Sequence, residues 1–395
     1  MQKVGGFLGV LFAALCAGAI GQSPAAPPAS PDSAQQPAYK LIERELFIPS
    51  PPVVQFVPVP ARPGGLDVVE VYYMTPGRHP LVLLTHASPD DTRDRARVTP
   101  WSLVKQAEWF ARRGYVAFIV VRSGYGASSG VLDIDEGPCL TDAGGFQDIA
   151  NAGVDDLTLV LKYAQKQTQV DSTTLVSAGV SAGGFAQLAL VADPPRGLKA
   201  AINFAGGAGH DGFEHNCNLP VAIDAFRAFG KGASKHGALP MLWIFAQNDH
   251  WYPPYMVRRF EDAYTGAGGA SQLVMAPPDG TDGQDLFSNV AAWSGTVDAF
   301  LKAHNLLPLG DRILPAPKAH DLPSPPGLNS SNGDAWRQFL LAPPFKTLVA
   351  GDDGATWMAT GEYNQPSADH DALELCRKAH KNSHCNIVAR NSGID

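Results

Sequence analysis

The chain has 395 residues, 45% hydrophobic and 17% charged, with a formal net charge of −8. That supplies apolar residues for one large core with something small beside it, and it argues against a disordered or fibrous polymer. No basic run or stripe offers a face to a polyanion, so nucleic-acid binding finds no support. Taken in chain order, the first segment is an uncharged run of apolar and small residues behind Lys3, followed by Ala19-Ile20-Gly21 before Gln22. Residues 1–21 read as a secretory signal peptide, and the Pro/Ala/Ser-rich stretch 22–40 as a disordered linker. The implied location is periplasmic or secreted, with no stable membrane span once the signal is removed. Leu15 stands where a lipoprotein signal wants a small residue, so Cys16 is read as leaving with the signal.

From residue 41 the texture changes. Runs 68–74, 81–85, 116–121, 174–180, 200–204, 241–246 and 272–275 are short and rich in apolar and β-branched residues. Most are near-continuously apolar, the pattern of strands buried on both faces. Segments 101–113, 153–164, 183–192 and 290–303 carry apolar residues at helical spacing. Strands alternating with helices predict an α/β domain over residues 41–306, built on a doubly wound, mostly parallel sheet. Residues 307–332 read as a Pro-rich linker. Residues 333–395 read as a small α+β module. Strands at 345–350 and 356–363 flank the turn signal Asp352-Asp353-Gly354. A helix at 368–380 with Ser367 as its N-cap follows, then a strand at 385–389.

Four cysteines remain after the signal, Cys139, Cys217, Cys376 and Cys385. An even set in an exported chain favours disulfides, and no C-x-x-C or H-E-x-x-H spacing suggests a metal. Cys376 and Cys385 would staple the small module, which has little core of its own. Cys139 and Cys217 each sit in a long loop after a strand, and a bridge between them would contribute about 2–4 kcal/mol.

The strand ending at Val180 runs into Gly179-Val180-Ser181-Ala182-Gly183-Gly184, and a helical pattern follows at once. Here G-x-S-x-G stands between strand and helix, the context the motif demands. Glycine is required where the turn packs too closely for a Cβ, and the serine is forced into a strained backbone with its hydroxyl exposed. Ser181 is therefore the candidate nucleophile. An earlier strand ends in His86-Ala87-Ser88-Pro89, so the N–H groups of Ser88 (or Ala87) and Ala182 are the candidate oxyanion donors. His86 is read as a brace for its loop. Arg122-Ser123-Gly124-Tyr125-Gly126 follows the next strand and is similar to the Arg-Gly-x-Gly-x-Ser loop common near such sites. Asp249, on the loop after strand 241–246, sits where the acid belongs in the chain order Ser, Asp, His. Its task is to orient and stabilise an imidazole.

These strings resemble the dienelactone-hydrolase-like branch of the α/β hydrolases, which is also similar to secreted prolyl-oligopeptidase-type enzymes. They are Leu83-Leu84-Thr85-His86-Ala87-Ser88-Pro89, the elbow around Ser181, and Asn248-Asp249 before Tyr252-Pro253. The resemblance covers about residues 45 to 305. It implies an α/β-hydrolase fold and a small-molecule ester, lactone or peptide substrate, with no cofactor. Ser181 and Asp249 match the family's nucleophile and acid. The expected Gly-His-x-x-Phe is present as Gly283-Gln284-Asp285-Leu286-Phe287, so Gln284 fills the histidine slot. Glutamine neither accepts nor returns a proton near neutral pH. Three readings stay open. The protein is a pseudoenzyme or ligand binder, another histidine (His210, His215 or His250) serves, or residue 284 is a variant of an active parent. The C-terminal segment resembles a small paired-cysteine module of bacterial exported proteins, which implies only a disulfide. Oligomeric state is not legible.

Overall fold

The computed structural model describes residues 39–41, 53–59, 62–71, 77–89, 92–130, 142–212, 215–216, 218–316, 323–379 and 384–391. Every described residue lies in the contact unit Pro37–Asp395. The expected signal peptide, most of the expected linker, Cys139 and Cys217 lie outside the described residues.

The strands are β1 Tyr39–Leu41, β2 Val53–Val59, β3 Arg62–Val71, β4 His79–Thr85, β5 Val116–Val121, β6 Val170–Val180 and β7 Leu198–Phe204. They continue with β8 His210–Gly212, β9 His215–Asn216, β10 Met241–Ala246, β11 Ser271–Ala276, β12 Lys346–Gly351, β13 Thr356–Ala359 and β14 Cys385–Asn391. The α-helices are α1 Val104–Ala111, α2 Ala143–Ala164, α3 Ala182–Ala192, α4 Leu219–Lys235, α5 Pro254–Gly266, α6 Val290–Ala303, α7 Gly333–Leu341 and α8 Gln365–Ala379.

Eight strands form the main sheet in the order β11-β10-β7-β6-β4-β5-β3-β2. Pairs from β11 to β5 are parallel, and β3 runs antiparallel to both β5 and β2. Side chains along each strand alternate between two cores. Leu81, Leu83, Phe118, Trp243 and Phe245 face the core shared with α2, α3, α4 and α5. Val82, Leu84, Ile119, Leu242 and Ile244 face the core shared with α1 and α6. Both faces are thus covered, which is why the strands read as unbroken apolar runs. Strand order, the antiparallel β3 and a serine turn between β6 and α3 make this an α/β-hydrolase sheet.

Helix α2 begins ten residues earlier than its apolar periodicity implies. The Asp142 side chain accepts from Gly145 N at 3.0 Å and caps it. The stretch 101–113 is split, with a 3₁₀ turn at Pro100–Leu103 leading into α1.

The C-terminal sheet has the order β1-β14-β12-β13. Leu348 and Ala350 of β12 pack with Trp336 and Phe339 of α7, while Val349 packs with Ala372 and Cys376 of α8. The module is therefore a small three-layer unit, and Cys376–Cys385 ties α8 to β14. Two details differ from the sequence reading. Asn364, not Ser367, caps α8, its side chain accepting from Ser367 N at 2.9 Å. Tyr39–Leu41, read as linker and domain start, instead lies parallel to Ala389–Asn391 and covers the edge of β14.

The module is pinned to the main domain through the 3₁₀ segments after β4. Thr99 Oγ1 donates to Gly361 O at 2.8 Å, and the Tyr363 hydroxyl donates to Val98 O. A cleft of about 640 Å³ opens at this junction, lined in part by Arg97, Trp101, Glu362, Asp371 and Leu375. None of Ser88, Ser181, Asp249 or Gln284 lines it.

Candidate functional site

All the candidate site residues fall at the C-terminal ends of neighbouring strands, the edge where open α/β sheets bind ligands. Ser181 follows β6, Ala205 follows β7, Asp249 follows β10, and Gln284 lies in the 3₁₀ turn Gly283–Ser288 after β11. Ser88 follows β4 on the other side of β6.

Ser181 has φ 54 and ψ −122, a conformation rare for a side-chain-bearing residue, and it is the N-cap of α3. Such a backbone costs on the order of 1–3 kcal/mol and persists only where its surroundings impose it. Here they do. Ser181 N donates to Phe204 O at 2.9 Å, and Ser181 O accepts from Phe185 N at 2.8 Å. A Cβ on Gly179 would lie 2.2 Å from Gly183 O, and one on Gly183 would lie 2.6 Å from both Thr85 O and His86 O. Strand β6, helix α3 and the end of β4 meet at backbone distance, so only glycine fits. Ser181 Oγ has no hydrogen-bond partner among the described residues.

The loop after β4 is braced from inside. His86 is 4% exposed, its Nε2 accepts from Arg122 N at 3.0 Å, and its Nδ1 lies 2.6 Å from Ala87 O. Burial, then the Arg122 charge, pushes its imidazole down to about 3. It is a neutral prop, as its reading as a brace requires. Ser88 Oγ accepts from Arg122 Nη2 at 3.1 Å and lies 2.7 Å from the Tyr125 hydroxyl. The Arg122 guanidinium sits 4.7 Å over the Tyr125 ring. Next to it, Asp156 holds Ser123 through its backbone N at 2.6 Å and its hydroxyl at 2.7 Å. The Arg122–Tyr125 string signalled this loop in the sequence; nothing signalled that Asp156 would anchor it.

Asp249 is 2% exposed. Its Oδ1 accepts from Trp251 N at 2.9 Å and Tyr252 N at 2.8 Å, while its Oδ2 is buried without a partner among the described residues. Burial pushes this carboxyl up to about 7, against the lowering effect of the two N–H bonds. The neighbouring loop is joined to it by Gly283 N donating to Asn248 O at 3.1 Å. A Cβ on Gly283 would lie 2.8 Å from Asp249 N, so the two loops touch there. Gln284 Nε2 reaches Ala205 O at a long 3.5 Å, and its Oε1 is buried and unpartnered. Ala205 is the residue after Phe204, whose carbonyl holds Ser181 N. Gln284 therefore reaches the strand end beside the serine.

Asp282, which the sequence reading passed over, organises this half. Its Oδ1 accepts from Gln284 N at 3.0 Å and His250 N at 3.2 Å, and its Oδ2 lies 3.5 Å from His250 Nδ1. The imidazole of His250 is turned to that carboxylate. The backbone of His210 and His215 forms the β8–β9 hairpin, and their side chains lie outside the described portion. Among the described residues no group of three or more His, Cys, Asp or Glu side chains could hold a metal.

Residues 64–219 match the family described as X-Pro dipeptidyl-peptidase (S15 family). The match spans the loop after β4 and the serine turn and ends before Asp249 and Gln284. No curated protein matches the chain. Similar solved structures include a dienelactone hydrolase of Klebsiella pneumoniae subsp. pneumoniae MGH 78578, at 15% identity over 65% of this chain and 99% of that one, TM-score 0.42. Esterase 2 of Thermogutta terrifontis has 17% identity over 65% of this chain and 96% of that one, TM-score 0.43. The acylaminoacyl peptidase of Pyrococcus horikoshii has 15% identity over 66% of this chain, TM-score 0.43, and the chain spans only 41% of that enzyme. The strand order and the antiparallel β3 are themselves those of an α/β-hydrolase sheet.

Proposed function

We propose that the chain is an exported serine hydrolase of the dienelactone-hydrolase-like type, acting on an ester, lactone or peptide carbonyl. The observation that carries this is the Ser181 turn, with φ 54 held by glycines that admit no Cβ. A strained serine at a helix N-terminus is an arrangement that nucleophilic catalysis uses and that packing alone does not require. Ser181 Oγ attacks the carbonyl carbon and forms an acyl-enzyme. The N–H groups of Ala182 and Ser88 bind the oxyanion, and the α3 N-terminus favours the developing charge. Asp249 is the acid of the triad, and Gln284 stands where its base belongs. The substrate is a small ester or peptide, and no cofactor takes part. The Cys376–Cys385 disulfide favours an oxidising compartment, periplasmic or extracellular. Among the described residues no helix is long and apolar enough to cross a membrane.

The second reading is a ligand binder that keeps the pocket without the chemistry. An Asp249 Oδ2 without a partner among the described residues, together with a glutamine in the expected histidine slot, favours it. Steady-state turnover of p-nitrophenyl acetate separates the two. We expect the protein as written to turn over faster than Ser181→Ala, so that its activity depends on Ser181. We expect Gln284→His to gain several orders of magnitude, since loss of one triad member costs on the order of a million-fold in kcat where the triad acts as a unit. A Gln284→His protein that folds and stays at the Ser181→Ala rate would favour the binder.

A further inference from the structure

We propose that Tyr363, carried by the C-terminal module, is a positioning residue of the serine site, holding the loop 122–128 in the place from which it braces Ser88. This role rests on Ser181 as nucleophile and Ser88 as an oxyanion donor. It gives the module a part in the site although none of the candidate catalytic or oxyanion residues belongs to it.

The loop 122–128 follows β5 and folds back on itself. Tyr125 N donates to Arg122 O at 3.1 Å, Ser128 N to Tyr125 O at 3.0 Å, and Ser128 Oγ to Val121 O at 2.7 Å. Asp67 N donates to Ser128 Oγ at 2.8 Å, which ties the far end of the loop to β3. The near end carries the brace. Arg122 N donates to His86 Nε2 at 3.0 Å, and Arg122 Nη2 donates to Ser88 Oγ at 3.1 Å. Tyr125 is fully buried, its hydroxyl lies 2.7 Å from Ser88 Oγ, and its ring meets His86 edge-on with centroids 4.8 Å apart. Where Arg122 and Tyr125 sit therefore decides where the Ser88 N–H points.

Directly after Tyr125 the loop meets the module. Gly126 has φ 53, a left-handed conformation that favours glycine, and a Cβ there would fall on the Tyr363 hydroxyl and on Val98 O. The Tyr363 hydroxyl donates to Val98 O and shares hydrogen bonds with the Asp67 carboxyl and the Ala127 backbone. Gly126 N donates to Arg95 O at 2.8 Å in the 3₁₀ turn after β4. One phenol thus joins three pieces of the main domain: the segment after β4, strand β3 and the loop that braces Ser88. A phenylalanine ring would fill the same space. The polar groups converge on the hydroxyl, and a hydroxyl alone can both donate and accept there. Losing it frees the residues that follow Tyr125 from their outside anchor.

The test uses the full chain, with Ser181-dependent turnover of p-nitrophenyl acetate and hydrogen exchange read on the same proteins. Thr99→Val is the comparison, because it removes the bond from Thr99 Oγ1 to Gly361 O and leaves the Tyr363 hydroxyl in place. Outright loss of one oxyanion donor costs on the order of 10²–10³ in kcat, so loosening one through Tyr363→Phe should cost about tenfold in kcat with KM within about twofold. We also expect Tyr363→Phe to exchange faster than the parent across 122–128, and Thr99→Val to stay near the parent in exchange, kcat and KM. Exchange in Tyr363→Phe that matches the parent overturns the proposal, whether or not the protein turns over. Equal losses in the two variants overturn it as well, since module docking as a whole would then hold the loop. If the parent shows no Ser181-dependent turnover, the hydrolase reading falls, and the exchange at 122–128 alone decides whether Tyr363 holds the loop. Should thermal unfolding show that Tyr363→Phe does not fold, Asp67→Ala removes one partner of the hydroxyl and keeps the phenol. It should speed exchange across 122–128, and unchanged exchange there would sink the proposal.

Discussion

The two halves of the candidate site are built in opposite ways. The serine half is made of backbone. Its strained turn, its glycine contacts and the buried Arg122–Tyr125–Ser88 brace leave almost no freedom to substitute. The acid half is made of side chains, and two of its buried oxygens, Asp249 Oδ2 and Gln284 Oε1, face no partner among the described residues. A buried polar atom without a partner costs on the order of 1–3 kcal/mol. An imidazole at position 284 would offer Asp249 a donor. The attacking geometry is thus kept at a strain cost, while the half behind it carries an amide at position 284 and buried oxygens without a partner among the described residues.

The largest effect should come from breaking the rigid half. Gly179→Ala puts a Cβ 2.2 Å from the Gly183 carbonyl oxygen, and neither strand β6 nor helix α3 can move without disturbing the sheet. We expect a loss of about 3 kcal/mol or more in urea unfolding, together with loss of Ser181 acylation. Gly295→Ala is the control. That glycine lies inside α6 with nothing within 4 Å of an added Cβ, so alanine should stabilise by about 0.5–1 kcal/mol. Equal effects from the two substitutions would show that the turn is not held by close packing.

Much of this contrast was legible in the sequence, and the reasons differ by element. The seven apolar runs all became strands of the main sheet, because burial on both faces leaves an unbroken signal. Strand β2 was not legible, since Gln55 and Pro58 interrupt it on the sheet's edge. Helix α4 was hidden by Gly230 and Gly232. A Cβ on Gly230 would meet Tyr264 O at 2.1 Å, so the close crossing with α5 demands a residue that weakens the helical pattern. In the site, Ser181, Asp249 and Gln284 could be placed by motif and chain order. The state of their polar atoms could not, because it depends on what four separate loops bring together. Asp282 carried no signal at all, for its role is to accept backbone N–H groups that any sequence possesses.

Asp249 gives the next largest effect. Its folded carboxyl titrates at about 7, well above the ordinary 3.8, chiefly because burial penalises the charge. A raised carboxyl pKa works against folding wherever the group is ionised only in the unfolded chain or ionised at a cost in the folded one. The penalty is absent below about pH 4, grows as pH rises toward 7, and is constant beyond. Asp249→Asn removes it while keeping an oxygen for Trp251 N and Tyr252 N. We expect Asp249→Asn to be more stable than the parent by on the order of 2 kcal/mol at pH 8 and equal to it near pH 4, measured by urea unfolding across that range. A variant destabilised equally at both ends would mean that Asp249 is held as a paired anion, and the contrast drawn between the two halves would fail.

The smallest effect tests how the acid half is wired. Asp282 raises the Asp249 pKa by charge repulsion, with burial the larger cause, while His250 lowers it. Asp282→Asn keeps the oxygen that accepts from Gln284 N and His250 N and removes only the charge. At neutral pH the stability change should be within about 0.5 kcal/mol, because the exposed side of such a pair is screened. The informative quantity is the midpoint of the pH dependence contributed by Asp249. It should move downward, since the repelling charge is gone, yet stay above the ordinary carboxylate range, since burial persists. A midpoint that does not move would mean the two carboxylates do not sense each other, and that the loop carrying Gln284 positions its amide without tuning the acid behind it.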